Sequence, residues 1–204
     1  MDEPTSRARR RTDPDRRDRI IDACLDVVAE RGVAGTSHRR VAAAADVPLG
    51  SMTYHFSGMD ELLHEAFERF SRSVIDGFER RLAAATTDVE ARAAVVSLIA
   101  DDVLGTEREL VLTHELYTLA ARDPAYRDLT NAWMAASRAA LERHFDPDTA
   151  RLLDALIEGL SIHRALDTEA QPRAVVVEAV NRITGEITPR AHGPRAATGP
   201  TVVP

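Results

Sequence analysis

Helix-starting residues recur along the chain, and they constrain the fold more than any other sequence feature. An Asp stands directly before a Pro at Asp13, Asp123 and Asp146, and Gln171-Pro172 repeats the arrangement. Proline is tolerated at the first position of a helix because its missing N–H would have no partner there. The preceding Asp can accept a hydrogen bond from the free amides of the first turn. These four pairs therefore predict the starts of four helices.

Between these starts, apolar residues recur at the three- and four-residue spacing of a helix, and no segment shows the sustained alternation of a strand. Aromatic residues make up only 4% of the chain, which also favours helix over strand. The fold class is therefore predicted to be all-α, with about nine helices. Their expected ranges are 14–31, 38–45, 48–54, from 58 onward, 88–104, 107–122, 124–144, 147–167 and 172–187.

Several classes of protein are excluded by composition. No run approaches the ~20 apolar residues that a membrane-spanning helix needs, and the N-terminal residues lack the apolar stretch of a secretory signal. The single cysteine, Cys24, permits no intrachain disulfide and no multi-cysteine metal site, and it is expected in the core. The sequence thus predicts a cytoplasmic protein without a metal or cofactor.

Charge is unevenly distributed along the chain. The net charge is −7, which is unusual for a protein that binds nucleic acid. Residues 1–60, however, hold ten Arg and ten acidic residues, so the whole acidic excess lies after residue 60. A cluster of Arg falls between Arg7 and Arg19. This pattern is compatible with a DNA contact restricted to the N-terminal part of the molecule.

The most informative segment is Ser37–Phe56, with the sequence SHRRVAAAADVPLGSMTYHF. It is predicted to form a short helix, a tight break and a second short helix. Val41 and Ala45 would face inward on the first helix, and Met52 on the second. This is the pattern of a helix-turn-helix, in which the second helix enters the major groove of DNA.

Residues 14–66 resemble the DNA-binding domain of the tetracycline-repressor-like (TetR) family of bacterial transcription regulators. The resemblance rests on Glu30-Arg31-Gly32, Gly35-Thr36-Ser37, Val41-Ala42 with Val47, Gly50 to Phe56, and Asp60-Glu61-Leu62-Leu63. Asp46 stands where the family's turn usually has glycine, and Leu49 and Met59 stand where the family often has Lys. The resemblance implies that the remaining helices form a ligand-binding and dimerisation domain.

Four regions are expected along the chain: a disordered Arg-rich arm at 1–12, the helix-turn-helix domain at 13–58, the ligand-binding and dimerisation domain at 59–187, and a disordered tail at 188–204. Contacts to DNA are expected from the start of the first short helix and from the outer face of the second, where Ser51 and its neighbours carry hydroxyl groups. The candidate DNA-binding residues are Thr36, Ser37, His38, Arg39, Arg40, Leu49, Gly50, Ser51, Thr53, Tyr54 and His55.

The later helices offer candidates for a ligand cavity and for dimerisation. Bulky and polar side chains in the middle of these helices would line a cavity, and the apolar faces of the last two helices would pair two protomers. The candidate ligand-binding residues are Phe67, Phe70, His114, Tyr117, Trp133 and Met134. The candidate dimerisation residues are Leu153, Leu156, Gly159, Leu160, His163, Val176, Val180 and Ile183.

These features favour a homodimeric, ligand-responsive repressor that releases a palindromic operator when a small molecule binds. Two alternatives stay open at this point: an all-α enzyme, and a helical protein-interaction adaptor. No catalytic constellation supports the enzyme, because His114-Glu115 is followed by Thr118 rather than by the second His of a zinc-protease motif. Binding to DNA would distinguish the regulator from both.

Overall fold

The computed structural model describes residues 14–185, so the predicted arm at 1–12, Asp13 and the predicted tail lie outside the described residues. Within that range the chain is helical and contains no strand, as predicted. Nine α-helices occur there: α1 Arg16–Arg31, α2 His38–Ala44, α3 Gly50–His55, α4 Met59–Ala83, α5 Asp88–Ser97, α6 Glu107–Ala120, α7 Pro124–Leu141, α8 Pro147–Leu166 and α9 Arg173–Ile183.

The predicted capping residues start several of these helices. The Asp123 carboxylate accepts a hydrogen bond from the Ala125 N–H at 2.9 Å, and Asp146 accepts two such bonds at 3.1 Å from the first turn of α8. Gln171, by contrast, does not cap α9, whose N-cap residue is Pro172 without a side-chain hydrogen bond. At the start of α4, the Glu61 carboxylate accepts hydrogen bonds from the N–H and the hydroxyl of Ser57.

The first of two apolar cores joins the helix-turn-helix segment to the rest of the protein. It contains Ile20 and Val28 of α1, Val41 of α2 and Met52 of α3, all fully buried. The same cluster includes side chains of α4, α6 and α7, such as the fully buried Leu116. The short helices α2 and α3 are therefore held by long-range packing, which matches the need of helices this short for tertiary support.

The second core is formed by the C-terminal half of α4 together with α5, α7, α8 and α9. Phe78 and Leu82 of α4 pack there with Leu153 of α8 and Val176 and Val180 of α9. Because α4 contributes to both cores, this long helix connects the helix-turn-helix end of the molecule to the bundle at the other end.

A π-helical segment, Leu98–Asp102, follows α5, where a continuous α-helix over 88–104 was predicted. Three Arg side chains from other helices bind this segment. Arg81 makes two hydrogen bonds to Asp102 at 2.7 and 2.8 Å, Arg173 pairs with Asp101 at 2.9 Å, and Arg164 donates to the Ala100 carbonyl at 2.9 Å. These bonds tie the π-helical segment to α4, α8 and α9, and both Asp residues have an Arg partner.

Candidate DNA-binding surface and effector cavity

The turn between α2 and α3 has the geometry of a tight helix-turn-helix break. Asp46 adopts a left-handed backbone with φ of 51°, a conformation that Asp tolerates better than most residues. The Val47 N–H donates to the Ala42 carbonyl at 3.0 Å, which closes the turn. Asp46 therefore takes a backbone conformation that glycine adopts most readily.

One face of α3 is fixed in the core, and the other is open to solvent. Met52 is fully buried and Phe56 is 3% exposed, whereas Tyr54 is 83% exposed. Thr53 and Gly50 are also exposed, and Leu49 precedes them on the same surface. We refer to Leu49, Gly50, Thr53 and Tyr54 together as the reading face.

The prediction that Ser51 points outward is wrong. Ser51 is only 8% exposed. Successive residues of a helix are rotated by about 100°, so Ser51 and the half-buried His55, which are one turn apart, lie on the same flank of α3. The reading face lies on the other flank. His55 is thus at the edge of this surface, where its ring meets the Tyr54 ring edge to face at 4.9 Å between centroids.

The start of α2 combines structural residues with an exposed Arg. Ser37 caps the helix by accepting a bond from the Arg40 N–H at 3.4 Å, and the Thr36 hydroxyl donates to the Gly32 carbonyl at 2.9 Å. His38 is half-buried, with a buried Nε2 that has no partner among the described residues. Arg40 donates to the Gly35 carbonyl, whereas Arg39 extends into solvent.

Two Arg residues of α1 adjoin this surface and were not among the predicted DNA-binding residues. Arg17 places its guanidinium 5.0 Å from the centre of the Phe56 ring and forms an ion pair with Glu65. Burial lowers the pKa of His55, and the nearby positive charges of Arg16 and Arg17 lower it further. The cluster of Arg between residues 7 and 19 was the sequence feature that could have indicated a contribution of α1 to this surface. The cluster alone did not indicate which Arg would lie beside α3.

Two adjoining cavities lie between α4, α6, α7, α8 and the π-helical segment. The outer cavity has a volume of about 710 Å³, and the inner cavity one of about 50 Å³. Side chains such as Phe78, Thr113 and Trp133 line both of them. A space of this size is typical of a site for a small organic molecule.

Four of the six predicted ligand-binding residues line these cavities. Phe70 lines the outer one, Tyr117 and Met134 the inner one, and Trp133 both. Phe67 lies one turn nearer the N-terminus of α4, where the first core encloses it completely. His114 lines neither of these two cavities, and its Nδ1 is 2.8 Å from the Leu110 carbonyl oxygen.

The inner cavity also holds polar groups. Asp154 and Glu158 reach it from α8. Burial raises the pKa of Tyr117, and the negative charge of the neighbouring Glu158 raises it further. Thr113 is 4% exposed, and its hydroxyl oxygen has no hydrogen-bond partner within the described part of the chain.

Three of the predicted dimerisation residues are in the wrong place for an interface. Leu153, Val176 and Val180 are at most 2% exposed and form part of the second core. Leu156, Leu160 and Ile183 are partly buried against that core, Gly159 is half-buried, and His163 is exposed. Apolar spacing predicted that α8 and α9 were packed on wide faces, but it did not show which face was turned toward the protomer's own core.

None of the large apolar side chains that are exposed on α8 and α9 was among the predicted dimerisation residues. Leu152 is 56% exposed, Leu166 62% and Val175 51%. Leu152, Gly159 and Leu166 follow one another at seven-residue spacing, so they share one stripe of α8. We refer to Leu152, Gly159, His163, Leu166 and Val175 as the outer α8–α9 face.

Other kinds of site receive no support within residues 14–185. No group of His, Cys, Asp or Glu there is arranged to hold a metal ion. Cys24 is buried, which raises the pKa of its thiol to about 12. None of the helices described is both long enough and apolar enough to cross a membrane.

The sequence matches two parts of one family. Residues 20–66 match the bacterial regulatory proteins of the tetR family, and residues 87–186 match the tetracyclin repressor-like C-terminal domain. The chain is also 57% identical to the transcriptional regulator SCO7518 from Streptomyces coelicolor A3(2), with a TM-score of 0.79 over 84% of this chain and 99% of that one. The chain belongs to the TetR family. The predicted class, a ligand-responsive DNA-binding transcriptional regulator, is thereby confirmed.

Two further proteins show the range of similarity. The transcriptional regulator PksA of Bacillus subtilis is 28% identical over 168 residues, which are 74% of this chain and 80% of PksA. The multidrug binding protein EbrR, in its crystal structure with ethidium, is 35% identical, with a TM-score of 0.69 over 83% of this chain and 98% of EbrR. The all-α architecture is therefore shared with solved structures over most of the length of both chains.

Proposed function

We propose that this TetR-family protein is a homodimeric repressor that binds a palindromic operator through α3 and releases it when a small organic molecule occupies the cavities. The observation that carries the proposal is the reading face. Tyr54 is 83% exposed on a helix whose opposite side is fully buried. A rigidly held helix with exposed polar and aromatic groups is suited to enter a major groove without reorganising.

Contacts to DNA are proposed for three parts of this surface. Thr53 and Tyr54 can bond to base edges or phosphates through their hydroxyls. Gly50 has open space where a Cβ would be, so close approach of a DNA backbone is a reason for glycine there. Arg39, Arg16 and Arg17 supply positive charge on either side of α3. Ser51, which is buried, has no part in this proposal.

The dimer is proposed to form through the outer α8–α9 face. A lone protomer would leave Leu152, Leu166 and Val175 more than half exposed. A Cβ at Gly159 would touch nothing within 4 Å in the protomer, so the glycine is best explained by a second helix crossing close to it. Two-fold pairing would place two α3 helices on successive major grooves, about 34–36 Å apart.

Release of DNA is proposed to pass through α6, which touches both the cavities and α1. Thr113 and Tyr117 of α6 line the cavities, while Leu116 packs in the first core. Arg108 pairs with Asp26 of α1 at 2.9 Å. A ligand that binds one position of α6 better than another would therefore favour one position of α1, in proportion to its differential affinity.

A small-molecule effector is supported by the EbrR structures with ethidium, proflavin and malachite green, which have 35–37% sequence identity to this chain. The proposal includes a DNA-binding domain at 13–58 and an effector and dimerisation domain at 59–187. We also propose that the protein acts in the cytoplasm, and that it acts by binding DNA and an effector rather than by catalysing a reaction. The alternative of a protein-interaction adaptor predicts no specific binding to DNA.

Salt dependence of DNA binding tests this function. The full-length protein is titrated by fluorescence anisotropy onto DNA from upstream of its own gene, and onto random DNA of equal length. We expect preferential binding to the upstream DNA and a steep loss of affinity with rising salt, because phosphate contacts release counterions. A flat salt response, or equal affinity for both DNAs, would contradict operator recognition.

A further inference from the structure

The reading face begins with an exposed leucine. Leu49 is 55% exposed and directly precedes α3. It already has helical backbone angles, with φ of −54° and ψ of −35°, so its side chain lies on the same side as that of Thr53 one turn later. A single exposed leucine is common on protein surfaces. Leu49 is informative because of the side chains beside it.

Thr53 adds a second apolar group to this side of α3. Its hydroxyl donates to the Gly50 carbonyl at 3.3 Å, although the side chain as a whole is exposed. Because the helix itself engages the hydroxyl proton, the methyl group is the part of Thr53 that is free for contact. Residues four apart are separated by about 6 Å along a helix, and base pairs of DNA by about 3.4 Å. Leu49 and the Thr53 methyl can therefore reach bases that are one or two steps apart.

The reading face has none of the side chains that make paired hydrogen bonds to purines. Arg and Lys recognise guanine in this way, and Asn and Gln recognise adenine. The chain contains no Lys, and its Asn and Gln residues are Asn131 in α7, Gln171 before α9 and Asn181 in α9. The helix-turn-helix segment therefore cannot recognise an A·T pair through paired bonds from an amide side chain to adenine.

The methyl group of thymine offers the other way to recognise an A·T pair. It projects into the major groove, where apolar side chains and the methyl group of Thr can contact it. Cytosine has no methyl group at that position. Contact between two apolar groups removes both from water, which is favourable. The uncharged, partly apolar reading face thus matches the thymine methyl better than it matches any other group on the base edges.

We propose that Leu49 and the methyl group of Thr53 recognise thymine in each half-site of the operator through its methyl group at C5. This inference rests on the proposed function, because it assigns base specificity to the surface that binds DNA. Exposed cations beside the reading face, such as Arg39, contact phosphates, which position the protein without selecting a sequence. Leu49 and Thr53 supply the selection.

The test removes the thymine methyl groups one at a time. Binding sites are first selected from a random duplex library with the full-length protein. Each thymine of the selected site is then replaced singly by deoxyuridine, which lacks only the C5 methyl group, and affinity is measured by fluorescence anisotropy. We expect one or two thymines per half-site at which this change weakens binding about fourfold, the factor that burial of one methyl-sized group is worth.

Two variants identify the side chain that contacts each methyl group. Leu49→Ala should bind thymine and uracil equally at one sensitive position, because the methyl group has lost its partner. Thr53→Ser keeps the hydroxyl that bonds to Gly50 and should remove the difference at the other sensitive position. Val89→Ala, at an exposed apolar position on α5, is the matched control and should retain both differences. Circular dichroism checks that each variant is folded.

Two results would overturn the proposal. One is a selected site in which no thymine can be distinguished from uracil by the natural protein. The other is a loss of affinity with uracil that neither variant removes, which would mean that uracil acts through the shape of the DNA. If Leu49→Ala does not fold, the natural protein and Thr53→Ser still decide.

Failure of the proposed function gives a different result. If no sequence is enriched from the library, operator recognition itself is contradicted, and this inference is contradicted with it. If a sequence is enriched but its thymine methyl groups do not matter, only the inference about Leu49 and Thr53 is wrong.

Discussion

Tyr54 makes almost no contribution to the packing of the protomer, and this separates its functional role from any structural one. Its ring is 83% exposed and meets only the edge of the neighbouring His55 ring among the aromatic side chains described. A large aromatic side chain in this position has surface available for a partner, whereas Met52, two residues earlier, has none. Substitutions on the two faces of α3 should therefore have opposite consequences.

Replacing Tyr54 by Ala is expected to weaken operator binding by about fivefold to 150-fold, because a single good contact to DNA is worth roughly 1–3 kcal/mol. The free energy of unfolding should change by less than about 0.5 kcal/mol. Anisotropy with operator DNA and urea denaturation measure the two effects. Val89→Ala, at an exposed apolar position on α5, is the control. Normal operator affinity of Tyr54→Ala would mean that α3 is not the reading helix.

The backbone of Asp46 leads to a second prediction. Its φ of 51° is unfavourable for a residue with a Cβ and is readily adopted by glycine. We expect Asp46→Gly to raise the free energy of unfolding by about 0.5–1 kcal/mol, measured by urea denaturation. Ala43→Gly, in the neighbouring helix, should lower it by about 1 kcal/mol. Destabilisation by Asp46→Gly would show that the Asp side chain itself supports the turn.

Among the helices, α6 links the cavities to α1. One side packs against α1 in the first core, and another lines the cavities. A Cβ at Gly32, directly after α1, would lie 2.6 Å from a carboxylate oxygen of Glu115 on α6. The end of α1 and the middle of α6 are therefore in close contact through the Glu115 side chain.

This packing predicts the effect of Leu116→Ala on α6. The side chain is fully buried in a core that includes α1, α2 and α3, so truncation should cost about 2–5 kcal/mol. Unfolding should remain a single transition, because the helix-turn-helix segment has no core of its own. Far-UV circular dichroism and Trp133 fluorescence followed in urea should give the same midpoint. Two separate transitions would contradict the shared core.

At the scale of the whole molecule, the distribution of charge and the proposed two-fold pairing both bear on how the protein meets DNA. The chain carries a net charge of −7, and all of that excess follows residue 60. The later part of the molecule should thus be repelled by DNA, which orients the helix-turn-helix end toward it. Pairing through the outer α8–α9 face would combine two such ends in one particle, so that both half-sites are bound at once.

Replacing Leu152 by Glu is expected to convert the proposed dimer to a monomer, because a charge would be buried within the outer α8–α9 face. Analytical ultracentrifugation measures the oligomeric state, and operator affinity should fall with it. The matched control is Val89→Glu, which places the same charge at a position that is 67% exposed on α5. A Leu152→Glu variant that stays dimeric would exclude this face as the interface.

Much of the molecule was determined by local sequence alone. The Asp-Pro caps at Asp123 and Asp146 follow from interactions within a few residues, and both were predicted correctly. The family also followed from local motifs. Such features need no knowledge of distant neighbours, because caps and turns are satisfied by their own backbone.

Only the tertiary structure decided which face of each helix is covered and by what. Helical spacing marked α8 and α9 as apolar, yet it placed Leu153 and Val180 at an interface, whereas they lie in the protomer's own core. Helical spacing likewise predicted that Ser51 points outward, whereas the structure buries it. The cavities, with Thr113 and Glu158 at their walls, arise where five segments distant in sequence leave a space between them. Periodicity defines an apolar face, but burial depends on the neighbouring helices that pack against it.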